Sequence, residues 1–150
     1  MSAPEKILVC LLSDQQIPNL LSIHALKRDH LVLIETPKMK ETGKARHLLE
    51  ALKCGGLDFD GRSTRQSIKH EDSISDTLAS LRAVYSIFPS AKWTANITGG
   101  TKIMSIAAYE FFKAMGADIF YIEVSKPDEL RQVLDGKTIS CARSLTCKEF

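Results

Sequence analysis

The sequence predicts an α/β fold, a Rossmann-like three-layer sandwich with a mostly parallel central sheet, helices on both faces and a C-terminal β-hairpin. Apolar runs of strand length alternate with segments of helical periodicity, and the connections between them are short. Right-handed crossovers leave few arrangements other than a parallel sheet for this alternation. The length of 150 residues suits one core, so we expect residues 1–150 to form a single domain.

Composition narrows the possible functions. Hydrophobic residues make up 44% of the chain and charged residues 25%, a balance typical of a soluble globular protein. The net charge of +2 is too small for binding to long nucleic acids, so an anionic ligand must be small and held locally. The sequence has no apolar run of membrane-span length, and Met1 to Lys6 does not resemble a signal peptide. We therefore expect a cytoplasmic protein that does not bind a membrane.

The cysteines give no sign of a metal site. The chain has four of them, Cys10, Cys54, Cys141 and Cys147, widely spaced and without a CxxC pair. We expect reduced thiols, no metal and no cofactor.

The first part of the chain predicts two strands and two helices. Lys6 to Leu12 is a continuous apolar run, typical of a central strand buried on both faces. The polar segment Ser13 to Gln16 follows, and Pro18 lies in the first turn of a helical pattern. His30 to Glu35 predicts a second buried strand, and Glu41 to Lys53 a second helix.

The middle of the chain predicts a third helix and a fourth strand. We expect a short third strand to begin near Leu57. Asp72 or Ser73 caps a helix whose apolar face repeats every three or four residues as far as Phe88. Lys92 to Ile97 then predicts the fourth strand.

The last part of the chain predicts a helix, a strand and a hairpin. Thr98 to Lys102 turns into a helix that extends to Met115, and Asp118 to Val124 predicts the fifth strand. Asp135-Gly136 suits a two-residue hairpin turn between residues 132–134 and 137–140.

Two polar loops are candidates for a ligand site. The usual strand order places the first strand beside the fourth, and ligands bind at this switch point beyond the carboxyl ends of the strands. The segments Ser13 to Gln16 and Thr98 to Lys102 lie there. In the second, the glycines allow close approach of backbone N–H groups, the helix N-terminus favours an anion and Lys102 adds a charge, so a phosphate fits.

Structural alternatives remain for both loops. Gly99 and Gly100 are also compatible with a tight turn alone, although the switch-point position and the adjacent Lys102 favour a ligand. Ser13 or Asp14 could simply cap the following helix. The GxGxxG and GxxxxGK[ST] motifs are both absent, which argues against dehydrogenases and ATPases.

Basic residues are also predicted near this edge. They are either part of the site or ordinary solvated surface. Those predicted to follow the second strand are Lys38, Lys40, Lys44 and Arg46, and those predicted to follow the third strand are Arg62, Arg65, Lys69 and His70.

Two motifs carry a resemblance to a known family. The segment Ser13-Asp-Gln-Gln-Ile-Pro-Asn-Leu20 and the segment Asn96-Ile-Thr-Gly-Gly-Thr-Lys-Ile-Met104 resemble the CRISPR-associated Rossmann-fold (CARF) domain. The similarity is greatest to CARF domains of the cyclic-oligoadenylate-activated ancillary nucleases of type III CRISPR systems. It spans essentially the whole chain.

The resemblance implies a homodimer that binds a cyclic oligoadenylate, usually cyclic tetra-adenylate, across its two-fold axis. The ligand-binding residues it implies, with the rim after the second strand, are Ser13, Asp14, Gln15, Gln16, Thr36, Lys38, Met39, Thr98, Gly99, Gly100, Thr101 and Lys102.

The family resemblance leaves the activity open between two functions. Its nucleases continue into a metal-dependent nuclease domain, for which these 150 residues leave no room, and no PD-(D/E)xK motif is recognisable. One function is a ring nuclease in which Ser13, Thr101 and Lys102 promote attack of a ribose 2′-OH on its phosphate without a metal. The other is a non-catalytic sensor, or a fragment of a longer nuclease. A Rossmann-like protein that binds another nucleotide is a third alternative.

Overall fold

The computed structural model describes residues 4–123 and 125–141, which form a sheet of seven strands flanked by helices. The strand order is β3-β2-β1-β4-β5-β6-β7, parallel from β3 through β5 and antiparallel from β5 to β7. The predicted fold class is therefore confirmed, as is the pairing of the first strand with the fourth. The strands are β1 Lys6–Leu11, β2 His30–Glu35, β3 Ser63–Ser67, β4 Lys92–Asn96, β5 Asp118–Ile122, β6 Glu129–Gln132 and β7 Thr138–Ser140.

Helices cover both faces of this sheet. They are α1 Ile17–Leu26, α2 Pro37–Glu41, α3 Lys44–Cys54, α4 Ile74–Ile87 and α5 Lys102–Ala114. Alternate residues of a strand point to opposite faces, so β1 contributes side chains to the hydrophobic core on each face of the sheet. Ile7 and Val9 pack with α4 and α5 on one face, whereas Leu8 and Cys10 pack with α1, α2 and α3 on the other. None of the described helices is long and apolar enough to cross a membrane.

The region between β2 and β3 differs from the prediction. The helix expected over Glu41 to Lys53 is α3, which begins later, at Lys44. An unpredicted short helix, α2, precedes it because Thr36 caps a turn that starts at Pro37, and Gly43, with a left-handed φ of 69°, separates the two helices. β3 begins at Ser63 and not near Leu57. The Leu57 backbone N–H closes the end of α3 by donating to the Leu52 carbonyl at 2.8 Å.

Of the four basic residues predicted to follow the third strand, two do not follow it. Arg62 precedes β3 and lies at the amino end of the sheet, and Arg65 lies within the strand. Lys69 and His70 do follow β3, at the carboxyl end.

The C-terminal hairpin is present, but its loop is longer than predicted. β6 ends at Gln132, whose N–H donates to the Lys137 carbonyl at 2.7 Å, and four residues, 133–136, lie between these two. A two-residue type I′ turn needs positive φ at both central residues, and in this loop only Gly136 has one, at 74°. β5 ends at Ile122, while Val124 lies outside the described residues.

The described thiols are unpaired. Cys10, Cys54 and Cys141 are all free, and Cys147 lies outside the described residues. Burial raises the pKa of the Cys10 thiol to about 12, only partly offset by a hydrogen bond with Ser22, so this thiol is inert.

Candidate ligand-binding site

A cleft of about 500 Å³ opens at the carboxyl end of the sheet, where β1 and β4 are neighbours. Both predicted loops line it, and the end of β5 closes one side. The lining residues are Ser13, Asp14, Gln15, Ile17, Pro18, Leu21, Thr98, Gly99, Gly100, Tyr121, Ile122, Glu123 and Pro127. The structure therefore brings the two polar loops into one site, as the strand order predicts.

A smaller depression of about 250 Å³ shares Ser13, Asp14 and Gly100 with this cleft. The predicted rim lies here, on the side of α2: Leu12, Thr36, Lys38, Met39, Glu71 and Thr101 complete the lining. Thr36 and Met39 are buried, and the Thr36 hydroxyl caps α2 by accepting from the Met39 N–H at 3.2 Å. Of the three predicted rim residues, Lys38 is therefore the one whose side chain is exposed to a ligand.

Lys102 lies in a third, adjoining depression. It is exposed at the first position of α5 and shares this space with Thr98, Gly100, Ile106 and Tyr121. The turn from Thr98 to Gly100 therefore separates Lys102 from the cleft of Ser13. A ligand that contacts both residues has to lie across that turn.

The glycines of this turn are required by its geometry. A Cβ on Gly99 would lie 2.1 Å from the backbone oxygen of Leu11 at the end of β1. Gly100 has a φ of +78°, and its Cβ would lie 3.2 Å from the Leu11 Cβ. These contacts bring the turn close against the end of β1, which is the packing that a tight turn alone would also need.

The start of α5 offers donors to an anion. The Thr101 hydroxyl accepts from the Met104 N–H at 3.2 Å and donates to the Glu71 carbonyl at 3.0 Å, so it is engaged in capping. The Ser105 N–H donates to the Thr101 carbonyl. The N–H groups of Lys102 and Ile103, in the first turn, lack an intrahelical acceptor and are suited to a phosphate oxygen.

The first loop is held by few contacts. The Ser13 hydroxyl donates to the Gln15 carbonyl at 2.9 Å, which leaves its lone pairs available. The exposed Asp14 carboxylate lies 3.7 Å from the Lys38 ammonium and 3.8 Å from the Lys44 ammonium, which offset its charge near the cleft. Neither Ser13 nor Asp14 caps α1, because the N-cap is Gln16, without a side-chain capping bond.

Sequence reasoning missed several residues that shape the site. Tyr121 lines two of the depressions, whereas Lys44, one of the basic residues that were predicted near this edge, pairs with Asp14. Asn96 and Asn19 are buried between the loops and hydrogen-bonded to each other. A polar residue at the end of a predicted buried strand, directly before the glycine turn, is the signal that could have singled out Asn96.

An imidazole–carboxylate pair lies beside the turn. His70 Nδ1 and Asp76 Oδ2 are 2.6 Å apart, and the adjacent Glu71 carbonyl accepts from Thr101. Asp76 is in the first turn of α4, where its own N–H donates to the Ser73 cap. Of the two predicted caps, Asp72 and Ser73, the structure has Ser73, and the His70–Asp76 pair lies at the start of that helix. Among the described residues no group of three His, Cys, Asp or Glu side chains is placed to hold a metal ion.

Comparison with solved structures gives the fold a context. Can2 from Sulfobacillus thermosulfidooxidans, in complex with cyclic tetra-adenylate, is similar with a TM-score of 0.82 and 24% identity, over 97% of this chain and 40% of that one. Protein VC1899 from Vibrio cholerae matches with a TM-score of 0.74 and 14% identity, over 91% of this chain and 36% of that one.

A third match is Enterococcus italicus Csm6 bound to cyclic hexa-2′-fluoro-hexa-dAMP. Its TM-score is 0.63 at 14% identity, over 80% of this chain and 34% of that one. The chain thus spans less than half of the length of these three proteins. No curated protein matched the sequence.

Fold and site together define a Rossmann-like domain with a crevice at the switch point of its sheet. The model of the Card1 CARF domain family matches residues 7–150. The chain belongs to this family, and the resemblance to CARF domains is confirmed.

Proposed function

We propose that the protein binds a cyclic oligoadenylate, with cyclic tetra-adenylate the favoured ring, in type III CRISPR signalling. The observation that carries the proposal is the Gly99-Gly100 turn at the switch point of a CARF domain, with Lys102 on one side and the Ser13 cleft on the other. The similar Can2 and Csm6 structures hold cyclic ligands of this kind. The proposed ligand is an anionic ring. The site offers it backbone N–H donors at the start of α5 and the cations Lys38 and Lys102, on a chain whose net charge is only +2.

The binding unit we propose is a homodimer in the cytoplasm. A symmetric ring is best matched by two copies of one site related by a two-fold axis. Ile106 and Tyr121 are 51% and 39% exposed, and both line the Lys102 depression. We expect these apolar side chains to contact the second protomer, where their burial would stabilise the dimer.

Within each protomer the two loops take different parts in binding. The first-turn amides of α5 and the Lys102 ammonium bind phosphate oxygens. Ser13 and Gln15 contribute hydroxyl and amide groups to ribose or base edges, with Asp14, Gln16 and the Lys38 side of the rim around them. Thr101 acts through its backbone, since its hydroxyl caps α5.

We further propose that the protein linearises the ring it binds. A ribose 2′-OH attacks the adjacent phosphorus, the bond from phosphorus to the 5′-oxygen breaks, and the proton of the hydroxyl ends on that oxygen. The products are a 2′,3′-cyclic phosphate and a 5′-hydroxyl. Lys102 and the turn amides stabilise the charge on the pentacoordinate phosphorus, and Ser13 orients the attacking hydroxyl.

The test is to incubate excess protein with cyclic tetra-adenylate in EDTA and to follow ligand and products by liquid chromatography with mass spectrometry. Linear products ending in a 2′,3′-cyclic phosphate would support ring cleavage without a metal. Intact ligand that co-elutes with the protein would contradict cleavage and support the sensor alternative. Ligand that neither binds nor breaks, repeated with cyclic hexa-adenylate, would overturn the proposed function.

A further inference from the structure

A buried amide at the end of β4 joins the elements that surround the site. Asn96 is fully buried, so its side chain does not face the clefts. Its Nδ2 donates to Ser22 Oγ at 2.8 Å, to Asn19 Oδ1 at 3.3 Å and to the Pro18 carbonyl at 3.4 Å, all in α1. The amide is therefore bound along the first turns of the helix that follows the Ser13 loop.

The other end of the same amide holds the glycine turn. Asn96 Oδ1 accepts from the Thr98 N–H at 3.1 Å and from the Thr98 hydroxyl at 2.5 Å. That hydroxyl in turn accepts from the Ile122 N–H at 2.9 Å, at the end of β5. One side chain thus connects α1, the β4–α5 turn and β5, three of the elements that line the main cleft.

The orientation of this network is fixed by the end of β1. Asn19 Nδ2 donates to the Leu11 carbonyl at 3.0 Å, so Asn19 presents its oxygen to Asn96 and cannot turn over without losing that bond. The same Leu11 carbonyl is the atom against which Gly99 packs. The glycine turn and α1 therefore both contact one backbone oxygen, that of Leu11. This shared contact sets the distance between the two loops.

We infer that Asn96 is a positioning residue of the ligand site, which holds the Thr98 to Thr101 turn at the distance from α1 that ligand binding requires. It does so without touching the ligand. The inference rests on the proposed function for its ligand, while its effect on the turn is measurable in the free protein.

The test uses Asn96→Asp, which keeps the shape of the side chain and the acceptor for Thr98. It replaces the donating NH₂ with an oxygen that faces the oxygens of Asn19 and Ser22, so the link to α1 is lost. We expect the dissociation constant for cyclic tetra-adenylate to rise at least about tenfold, as a buried polar mismatch and a misplaced turn imply. Amide hydrogen exchange over residues 97–101 of the free protein should also quicken.

Loss of stability alone is controlled with Val84→Ala. Val84 is buried in α4, in the core on the face of the sheet opposite to α1. This variant should be destabilised, yet bind the ring within about twofold of the wild type, measured well below both melting temperatures. If Asn96→Asp does not fold, Ser22→Ala removes one acceptor of the network and should raise the dissociation constant by a few-fold.

The outcomes separate this inference from the proposed function. A folded Asn96→Asp protein with wild-type affinity and wild-type exchange at residues 97–101 would overturn the positioning role. If Ser22→Ala has to be used because Asn96→Asp does not fold, wild-type affinity and wild-type exchange in Ser22→Ala would overturn the positioning role in the same way. If the wild type fails to bind the ring, the proposed function falls, and the exchange measurement alone decides the role of Asn96: faster exchange confined to the turn supports it and unchanged exchange overturns it.

Discussion

The two loops of the site are built differently. The β4–α5 turn is anchored by Asn96 beneath it, by the contact of Gly99 with the Leu11 carbonyl, and by the Thr101 cap that reaches Glu71. The β1–α1 loop is partly exposed and has weaker anchors. They are a local bond from Ser13 to Gln15, two long ion pairs of Asp14, and a bond of 3.3 Å from the Gln16 side-chain amide to the Lys44 carbonyl.

The difference in anchoring predicts different roles for the turn and the loop in ligand binding. An anchored turn holds its backbone donors in place, which under the proposed function would limit the entropy lost when a phosphate binds. An exposed loop with few anchors can adapt to the rest of a large ring. Changes in the turn should therefore affect folding and binding strongly, whereas changes in the loop should have small effects on stability.

The largest effect is expected from Gly99→Ala. Because the new Cβ would lie 2.1 Å from the Leu11 backbone oxygen, β1 or the turn must shift. We expect the free energy of unfolding, measured by urea denaturation, to fall by about 3 kcal/mol. Gly116→Ala is the matched control, since its Cβ meets nothing within 4 Å and only its φ of +71° is strained, at roughly 1–2 kcal/mol. Equal losses in the two variants would show that the turn is not closely packed on β1.

Lys102→Ala tests the charge that the turn presents. The side chain is exposed, so stability should be unchanged, while the loss of a charge-assisted contact of about 1.5–3 kcal/mol should weaken cyclic tetra-adenylate binding by roughly 10- to 100-fold. Lys113→Ala, in the last turn of the same helix, is the control and should bind normally. Isothermal titration calorimetry measures both, and equal affinities would remove Lys102 from the site.

Acid should weaken the fold at a place remote from both loops. His30 begins β2, at the end of the sheet opposite to the site. Burial of its imidazole lowers the pKa below 6.5, and the positive charge of Arg62 lowers the pKa further. The unfolded chain then binds the proton more readily, so the stability from neutral His30 is complete above pH 6.5 and is lost as the pH falls below it. His30→Gln should flatten the decrease in urea midpoint between pH 7.5 and 5.5, and an equal slope in both proteins would contradict this.

The smallest effect is expected from Asp14→Asn in the first loop. Its ion pairs are exposed and long, so the free energy of unfolding should change by less than about 0.5 kcal/mol. Removing a carboxylate beside an anionic ligand should leave affinity equal or up to about threefold tighter. A large loss of stability in chemical denaturation would show that this loop is as firmly anchored as the turn.

Much of the fold followed from local patterns. β1 and β2 are continuous apolar runs because helices cover both of their faces, and α4 begins after the Ser73 cap, where a polar residue precedes the apolar period. The meeting of the two polar loops in one cleft could be predicted because parallel strands end at one edge and the strand order places the first beside the fourth.

Other features have no local signal. β3 reads Ser-Thr-Arg-Gln-Ser, an edge strand without an apolar run, and it is defined by its register against β2. Asn96 and Asn19 are 77 residues apart in sequence and meet only once α1 packs on the sheet. The separation of Lys102 from Ser13 by the turn likewise depends on three-dimensional packing.

The most direct test of the central claim is native mass spectrometry of the protein with cyclic tetra-adenylate, recorded before any ring is cleaved. A site completed by a two-fold axis predicts one ring bound to two protomers, with Lys102→Ala reducing that species and Lys113→Ala leaving it unchanged. One ring for each single protomer would contradict the shared site, and the absence of any bound ring would contradict the proposed ligand.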